Sequence, residues 1–221
     1  MAFIVAIDGP AGTGKGTIAN LISKKFGFIN IDTGAMYRCV TLEMLNRNVS
    51  IDNLEEVRKI LNEINIEFKH LEDKELIFLN SEDVTDQIRT KEVSSLVSYV
   101  SSIKEVRIKL VDLQRKLGKK ENIVMEGRDI GTVVFPNANV KIYLDADVEE
   151  RARRRFLQNQ EKGINMSYEE ILESIKVRDE NDKNKEMGAL KIAEDATVID
   201  TTNIGIDEVM KRVTKIIEEK M

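Results

Sequence analysis

Between an apolar run, Phe3–Ile7, and a segment with helical periodicity, Lys15–Phe26, the chain reads "DGPAGTGKG", with glycine at positions 9, 12, 14 and 16. No other stretch narrows the possible folds as far. The apolar run reads as a strand that stops at Asp8-Gly9, and Ile18, Leu21, Ile22 and Phe26 give the following segment one apolar face. Glycine lacks a β-carbon and reaches positive φ at little cost, so successive backbone N–H groups can curl around an anion at the positive end of the next helix. Gly9-Pro10-Ala11-Gly12-Thr13-Gly14-Lys15 matches the first seven positions of the phosphate-loop pattern. The eighth position is Gly16 rather than Ser or Thr, and the hydroxyl comes one residue later, at Thr17. Phosphate binding by bare backbone is expected here.

The same alternation continues downstream. Short apolar runs at Asn122–Met125, Val140–Leu144 and Thr197–Ile199 are separated by segments long enough for helical crossovers, which predicts an α/β fold with a doubly wound parallel sheet flanked by helices. Apolar stripes at Ile103, Val106, Leu110, Leu113, Leu117 and at Ile206, Val209, Val213, Ile216, Ile217 predict two of those helices. Two regions break the rhythm. Residues 65–88 alternate apolar and polar in two runs around Glu72-Asp73-Lys74, as a small antiparallel insert would. Residues 149–188 are helical and densely charged, with a break at Gly163-Ile164-Asn165.

Composition excludes several classes. With 221 residues, 42% of them apolar, the chain can bury roughly 70% of its unfolded surface in a core. A net charge of −5 offers no basic surface for sequence-independent duplex binding, so no nucleic-acid polymer is expected as partner. Cys39 is the only cysteine, which rules out an intrachain disulfide and suggests a packed thiol. No apolar run approaches bilayer length and the opening residues run straight into a strand pattern, so neither membrane nor export is expected, and the cytoplasm is. The one histidine, His70, reads as surface structure without a metal-ligand cluster, and the absence of a coiled-coil seam favours a monomer.

Charge gathers where an open α/β sheet binds ligands. Asp32-Thr33-Gly34-Ala35-Met36-Tyr37-Arg38 opens a helix that Asp32 or Thr33 can cap, with Arg38 one turn in. Asn122–Met125 ends in Glu126-Gly127-Arg128-Asp129, at the carboxyl edge of the predicted sheet. An arginine fork suits phosphate, whereas a carboxylate accepts from an exocyclic amine and repels a carbonyl at the same place. Arg151, Arg154 and Arg155 share a helical face that is either solvated or turned toward a transferring phosphoryl group. A GTP switch finds no support: "ENDKNK" at 180–185 lacks the order of a guanine reader. A small-molecule kinase and a nucleotide-binding regulatory module both remain open on these residues alone.

Taken together, "IDGPAGTGKGT", "DTGAMYR", "EGRDIGTVVFPNANVKIYLDA", "ERARRR" and "IKVRDENDKNK" resemble bacterial-type cytidylate kinase, a nucleoside monophosphate kinase, along almost the whole chain. The resemblance implies one P-loop kinase domain over residues 1–221, an acceptor-binding insertion at about 38–107 that includes the small sheet at about 65–88, and a helical lid at about 150–188. It implies reversible transfer of the γ-phosphoryl of ATP to CMP or dCMP, with Mg²⁺. Gly9, Pro10, Ala11, Gly12, Thr13, Gly14, Lys15, Gly16 and Thr17 would then hold ATP, Lys15 on the β- and γ-phosphates and Thr17 near the metal. Thr33, Arg38 and Arg128 would surround the acceptor phosphate, with Tyr37 beside it. Ser98, Arg107 and Asp129 would read cytosine, Arg178 and Asp182 would hold the ribose, and Lys185 would lie close to phosphate. Lys15, Arg38, Arg128, Arg154 and Arg155 would neutralise charge during transfer. Two departures stand out: Asn181, Lys183 and Lys185 occupy positions where the family commonly has arginine, and Glu126 stands where it has Asp. Lysine keeps the charge and loses the two-pronged geometry.

Overall fold

The opening run becomes strand β1 (Ile4–Asp8), and the glycine loop delivers the chain into helix α1 (Lys15–Phe26). There follow β2 (Ile29–Asp32), α2 (Thr33–Asn46), α3 (Leu54–Glu63), β3 (Ile66–Leu71), β4 (Lys74–Leu79), β5 (Glu82–Asp83), α4 (Lys91–Val100) and α5 (Lys104–Leu117). The second half runs β6 (Ile123–Gly127), β7 (Val140–Asp145), α6 (Val148–Glu161), α7 (Tyr168–Asn184), β8 (Thr197–Asp200) and α8 (Ile206–Glu218). This computed structural model describes residues 2–71, 74–119, 121–161 and 163–221, without the side chains of residues 70, 71, 74 and 75. The turn expected at Glu72-Asp73-Lys74 and the surface position expected for His70 lie outside the described residues. The chain forms two compact units, one running up to Asn30 and resuming at Leu117, the other spanning Ile31–Lys116.

In the larger unit a five-stranded parallel sheet has the order β2-β6-β1-β7-β8. β1 lies at its centre, and Asp8 is level with Gly127 of β6 and Tyr143 of β7. Parallel register therefore opens the loops after β1, β6 and β7 at one carboxyl edge, where such sheets bind ligands. Val5, Ile7, Ile142 and Leu144 of the sheet pack on Ile18 and Ile22 of α1 and on Val209, Val213 and Ile217 of α8. These are the residues whose spacing marks the two helices in the sequence. The charged 149–188 region folds as α6 and α7, which share their own small cluster of Ala152, Ile171 and Ile175. Ser167 starts α7 with a capping box completed by Glu170.

The smaller unit carries the antiparallel sheet β3-β4-β5, in which Ile66 pairs with Leu79. Its helices start on side-chain caps: Asp32 accepts from Ala35 N–H at α2, Asn53 from Glu56 N–H at α3, and Thr90 from Val93 N–H at α4. Cys39 lies fully buried on α2, and burial, helped by the charge of Asp32, pushes its thiol up to about 12. Such a thiol is packing rather than a nucleophile. Among the described residues no helix is long and apolar enough to cross a membrane.

Candidate active site

The loop after β1 uses glycine where nothing else fits. A β-carbon on Gly9 would lie 2.1 Å from the Leu144 carbonyl oxygen of β7, a backbone atom that cannot give way. α1 then begins on Gly14 with no side-chain cap, leaving its first N–H groups for an anion. Lys15 is buried, and its ammonium donates across the loop to the Pro10 carbonyl at 2.6 Å. Burial, followed by the nearby Arg128 charge, pulls Lys15 down to about 7, against the partial support of Glu126 and Asp8. Gly16, the departure from the phosphate-loop pattern, has a local cause. A β-carbon there would sit 2.7 Å from Glu126 Oε1, so the carboxylate at the end of β6 takes the space of a side chain. Thr17 is exposed beside it.

Past β6 the charges are paired rather than solvated. Arg128 Nε donates to Asp182 Oδ2 at 2.7 Å, and Lys185 Nζ donates to Asp182 Oδ1 at 2.8 Å, so one carboxylate of α7 is bracketed by two cations. Burial alone would raise Asp182; Arg128, Lys185 and Arg178 together hold it well below the usual carboxylate range. Burial alone would likewise lower Arg128, and Asp182 reverses the direction. The structure thus brings Arg128, Asp182 and Lys185 together, with half-buried Arg178 close enough for its charge to act on Asp182 and Lys15. Asp129 is buried at the start of a single π-helical turn, Ile130–Val134.

Sequence reasoning passed over Asp8. Its two carboxylate oxygens accept one N–H each from Ile130, at 2.8 Å, and Gly131, at 2.7 Å, fixing the turn that follows Asp129. Burial outweighs those bonds and, with the charge of Asp129, raises Asp8 to about 6. The only hint in the sequence is its place as the last strand residue before the loop.

The three arginines expected on one face of α6 are used differently. Arg151 is buried. Arg154 donates to Glu150 at 2.9 Å, to Thr201 Oγ1 at 3.1 Å and to the Thr201 carbonyl, which ties it to the end of β8. Arg155 is exposed.

The smaller unit holds the remaining expected residues. Thr33 is buried at the start of α2, and Tyr37, one turn on, has the Arg107 guanidinium 5.5 Å from its ring centre. Arg38 Nη1 donates to the Ile88 carbonyl at 3.0 Å and to Ser94 Oγ at 2.8 Å, two partners invisible in the sequence. Ser98 Oγ is buried on α4 and has no hydrogen-bond partner among the described residues.

The sequence model of the family described as "Cytidylate kinase" matches residues 5–219. The chain belongs to the cytidylate kinase family. Relatives named cytidylate kinase include one from Fusobacterium nucleatum subsp. nucleatum, 51% identical over 98% of this chain and 97% of its own. Others come from Caldicellulosiruptor saccharolyticus, 49% identical over 96% of this chain and 94% of the relative, and from Bacillus subtilis, 45% identical over 98% and 96%. Among solved structures, TT1252 from Thermus thermophilus aligns with a TM-score of 0.51 at 17% identity, covering 100% of this chain and 98% of that one. Shikimate kinase from Bacteroides thetaiotaomicron aligns with a TM-score of 0.51 at 10% identity over 98% of both chains. These two likenesses are of fold alone. As a cytidylate kinase family member the chain is an ATP-dependent phosphotransferase. Lys185, one of the departures noted in the sequence, is a buried partner of Asp182.

Proposed function

We propose that the residues named above carry out the family's reaction, reversible transfer of the γ-phosphoryl of ATP to CMP or dCMP, by positioning and charge neutralisation without a covalent intermediate. The observation that carries this reading is the juxtaposition at one sheet edge of the uncapped glycine loop, buried Lys15, and the Arg128–Asp129 corner. ATP phosphates take backbone N–H groups of the Gly9–Thr17 loop, Pro10 having none to give, and Lys15 exchanges the Pro10 carbonyl for phosphate oxygen. Among the described residues no group of three or more His, Cys, Asp or Glu could hold a metal by itself. The donors present, the exposed Thr17 hydroxyl and the Glu126 carboxylate beside Gly16, suit a hard cation that takes its other ligands from phosphate and water. Thr17 and Glu126 would hold Mg²⁺ together with the ATP phosphates, and the ion would supply charge neutralisation there.

On the acceptor side Arg128, Arg38 and Thr33 hold the CMP phosphate, Tyr37 packs beside it, and Arg178, Asp182 and Lys185 serve the ribose and phosphate. Asp129, Ser98 and Arg107 read the base. The buried Ser98 hydroxyl, without a hydrogen-bond partner among the described residues, supports this role, since an unmatched buried polar group costs about 1–3 kcal/mol that a ligand atom can relieve. The 150–188 region acts as the lid; Arg155 is already exposed, and Arg154 must release Thr201 to reach a phosphoryl group. The enzyme works as a monomer in the cytoplasm.

A panel of acceptors tests the reading by ADP release. CMP and dCMP should turn over well, and UMP, AMP and shikimate poorly; good turnover of any of the last three with little from CMP sinks the assignment. Because a polar site can reject a mismatched base by up to ~10⁴-fold, Asp129→Ala should erase most of the CMP over UMP preference. An unchanged preference in the folded variant would remove Asp129 as the reader.

A further inference from the structure

Arg151, on the first turns of α6, sends its guanidinium into the protein. Nε donates to the Ala146 carbonyl at 2.9 Å, just past β7. Nη1 donates to the Ala11 carbonyl of the glycine loop at 3.1 Å, and the same nitrogen is ion-paired with Asp179 Oδ2 of α7 at 2.7 Å. The next loop residue, Gly12, lies against the same side chain: a β-carbon there would be 3.2 Å from Arg151 Cβ. One residue therefore touches the end of the central sheet, the donor loop and α7.

Its partner is bound one-sidedly. Asp179 is 8% exposed, and its Oδ1 is buried without a hydrogen-bond partner among the described residues. A buried carboxylate with half its acceptors unused depends on the cation it is paired with, here Arg151. Asp179 also sits next to Arg178 and one turn from Asp182, whose carboxylate is shared by Arg128 and Lys185.

We propose that Arg151 and Asp179 are positioning residues that couple the filling of the donor loop to the placement of α7, and through it to acceptor affinity. The inference rests on the assignment of Arg178 and Asp182 to CMP. The peptide between Ala11 and Gly12 is planar and trans, so holding the Ala11 carbonyl on Arg151 turns the Gly12 N–H away from it, on the side left for phosphate. An anion taken up by that N–H polarises the peptide and strengthens the carbonyl's bond to Arg151, because linked hydrogen bonds reinforce one another. The same Nη1 holds Asp179, so a tighter loop draws α7 into a fixed register.

The test is a titration of CMP with and without saturating Mg²⁺ and AMP-PNP, on the full chain and on D179N, R151K and R178A. The unaltered protein should bind CMP with an affinity that changes on the order of tenfold when AMP-PNP is present. D179N and R151K should each bring that ratio to within about twofold of unity while still binding AMP-PNP. R151K keeps the buried charge and reads the same ratio if D179N does not fold. R178A should weaken CMP and keep the ratio. A merely structural pair would lower the melting temperature and weaken both ligands with the ratio unaltered, and that result overturns the coupling, as does a ratio of one in the unaltered protein. Unchanged CMP binding by R178A overturns the assignment of α7 to the acceptor, and the proposal with it. A ratio that survives D179N and R151K overturns the coupling alone.

Discussion

Two buried carboxylates, Asp8 and Asp182, show how differently this part of the molecule treats negative charge. Asp8, on the loop side, has two backbone N–H donors, and burial leaves it raised to about 6. Asp182, on the α7 side, is bracketed by Arg128 and Lys185 and stays well below the usual carboxylate range. Near the loop, burial and the charges of Arg128 and Arg178 draw Lys15 down to about 7 against the partial support of Glu126 and Asp8, so a bound anion there would relieve crowded positive charge. Near α7, cations and carboxylate are already matched. The first region leaves a helix start without a side-chain cap, and the second pairs its charges with one another.

Removing Lys15 is the severest way to break that contrast. Lys15→Ala should lower kcat by about 10³-fold, the scale of losing one preorganised charge at a transferring group, as read by coupled ADP release at saturating nucleotides. A near-normal rate would remove its phosphate role.

On the other side, Asp182→Asn leaves Arg128 and Lys185 buried with a neutral partner. Breaking a buried pair from one end costs about 3–5 kcal/mol, so urea unfolding at neutral pH should show a loss near the lower figure, given the partial exposure of Arg128. Because its folded-state value lies below the unfolded one, Asp182 contributes stability above about pH 4 that is lost as pH falls further.

Asp8 bends the curve in the opposite direction. With a folded-state value of about 6 against 3.8, the native state binds more protons than the unfolded chain in that window, so stability falls as pH rises from 3.8 to about 6. The shift corresponds to at most about 3 kcal/mol. Asp8→Asn should flatten that segment of the pH–stability profile; a slope that survives the substitution assigns it to other groups.

The smallest effect is a proton. Lys15 at about 7 is largely neutral at pH 8, and ATP phosphates beside it should restore its charge. Calorimetric titrations with AMP-PNP at pH 8, in buffers of different ionisation enthalpy, should report uptake of up to about one proton. Lys15→Ala should abolish it.

The same contrast explains what could be read from sequence. The loop acts through backbone, and glycines at fixed spacing between a strand and a helix leave a local trace; so do the apolar stripes of α1, α5 and α8. Asp32 as the cap of α2 was equally local. Side-chain partners distant in sequence leave no such trace. Nothing near Arg38 points to Ser94, nothing near Arg128 points to Asp182, and Arg151 could not be separated from Arg154 and Arg155 because helical spacing gives a face and not a destination. Ser98 and Arg107 look like ordinary helix residues, and only the family resemblance singled them out. Of the three α6 arginines, Arg151 spends its guanidinium inside the protein, on two backbone carbonyls and the Asp179 carboxylate.

The crowding of Gly16 by Glu126 has a consequence for anyone who alters this loop. Positions 16 and 126 form one design unit although they lie on different elements and far apart in the chain. Installing the serine of the commoner phosphate loop at 16 forces the carboxylate at 126 to swing aside, and a shorter acid at 126 makes room for it. Engineering either position alone therefore moves the other, and a library that varies the two together will contain the working combinations that single-site scans miss.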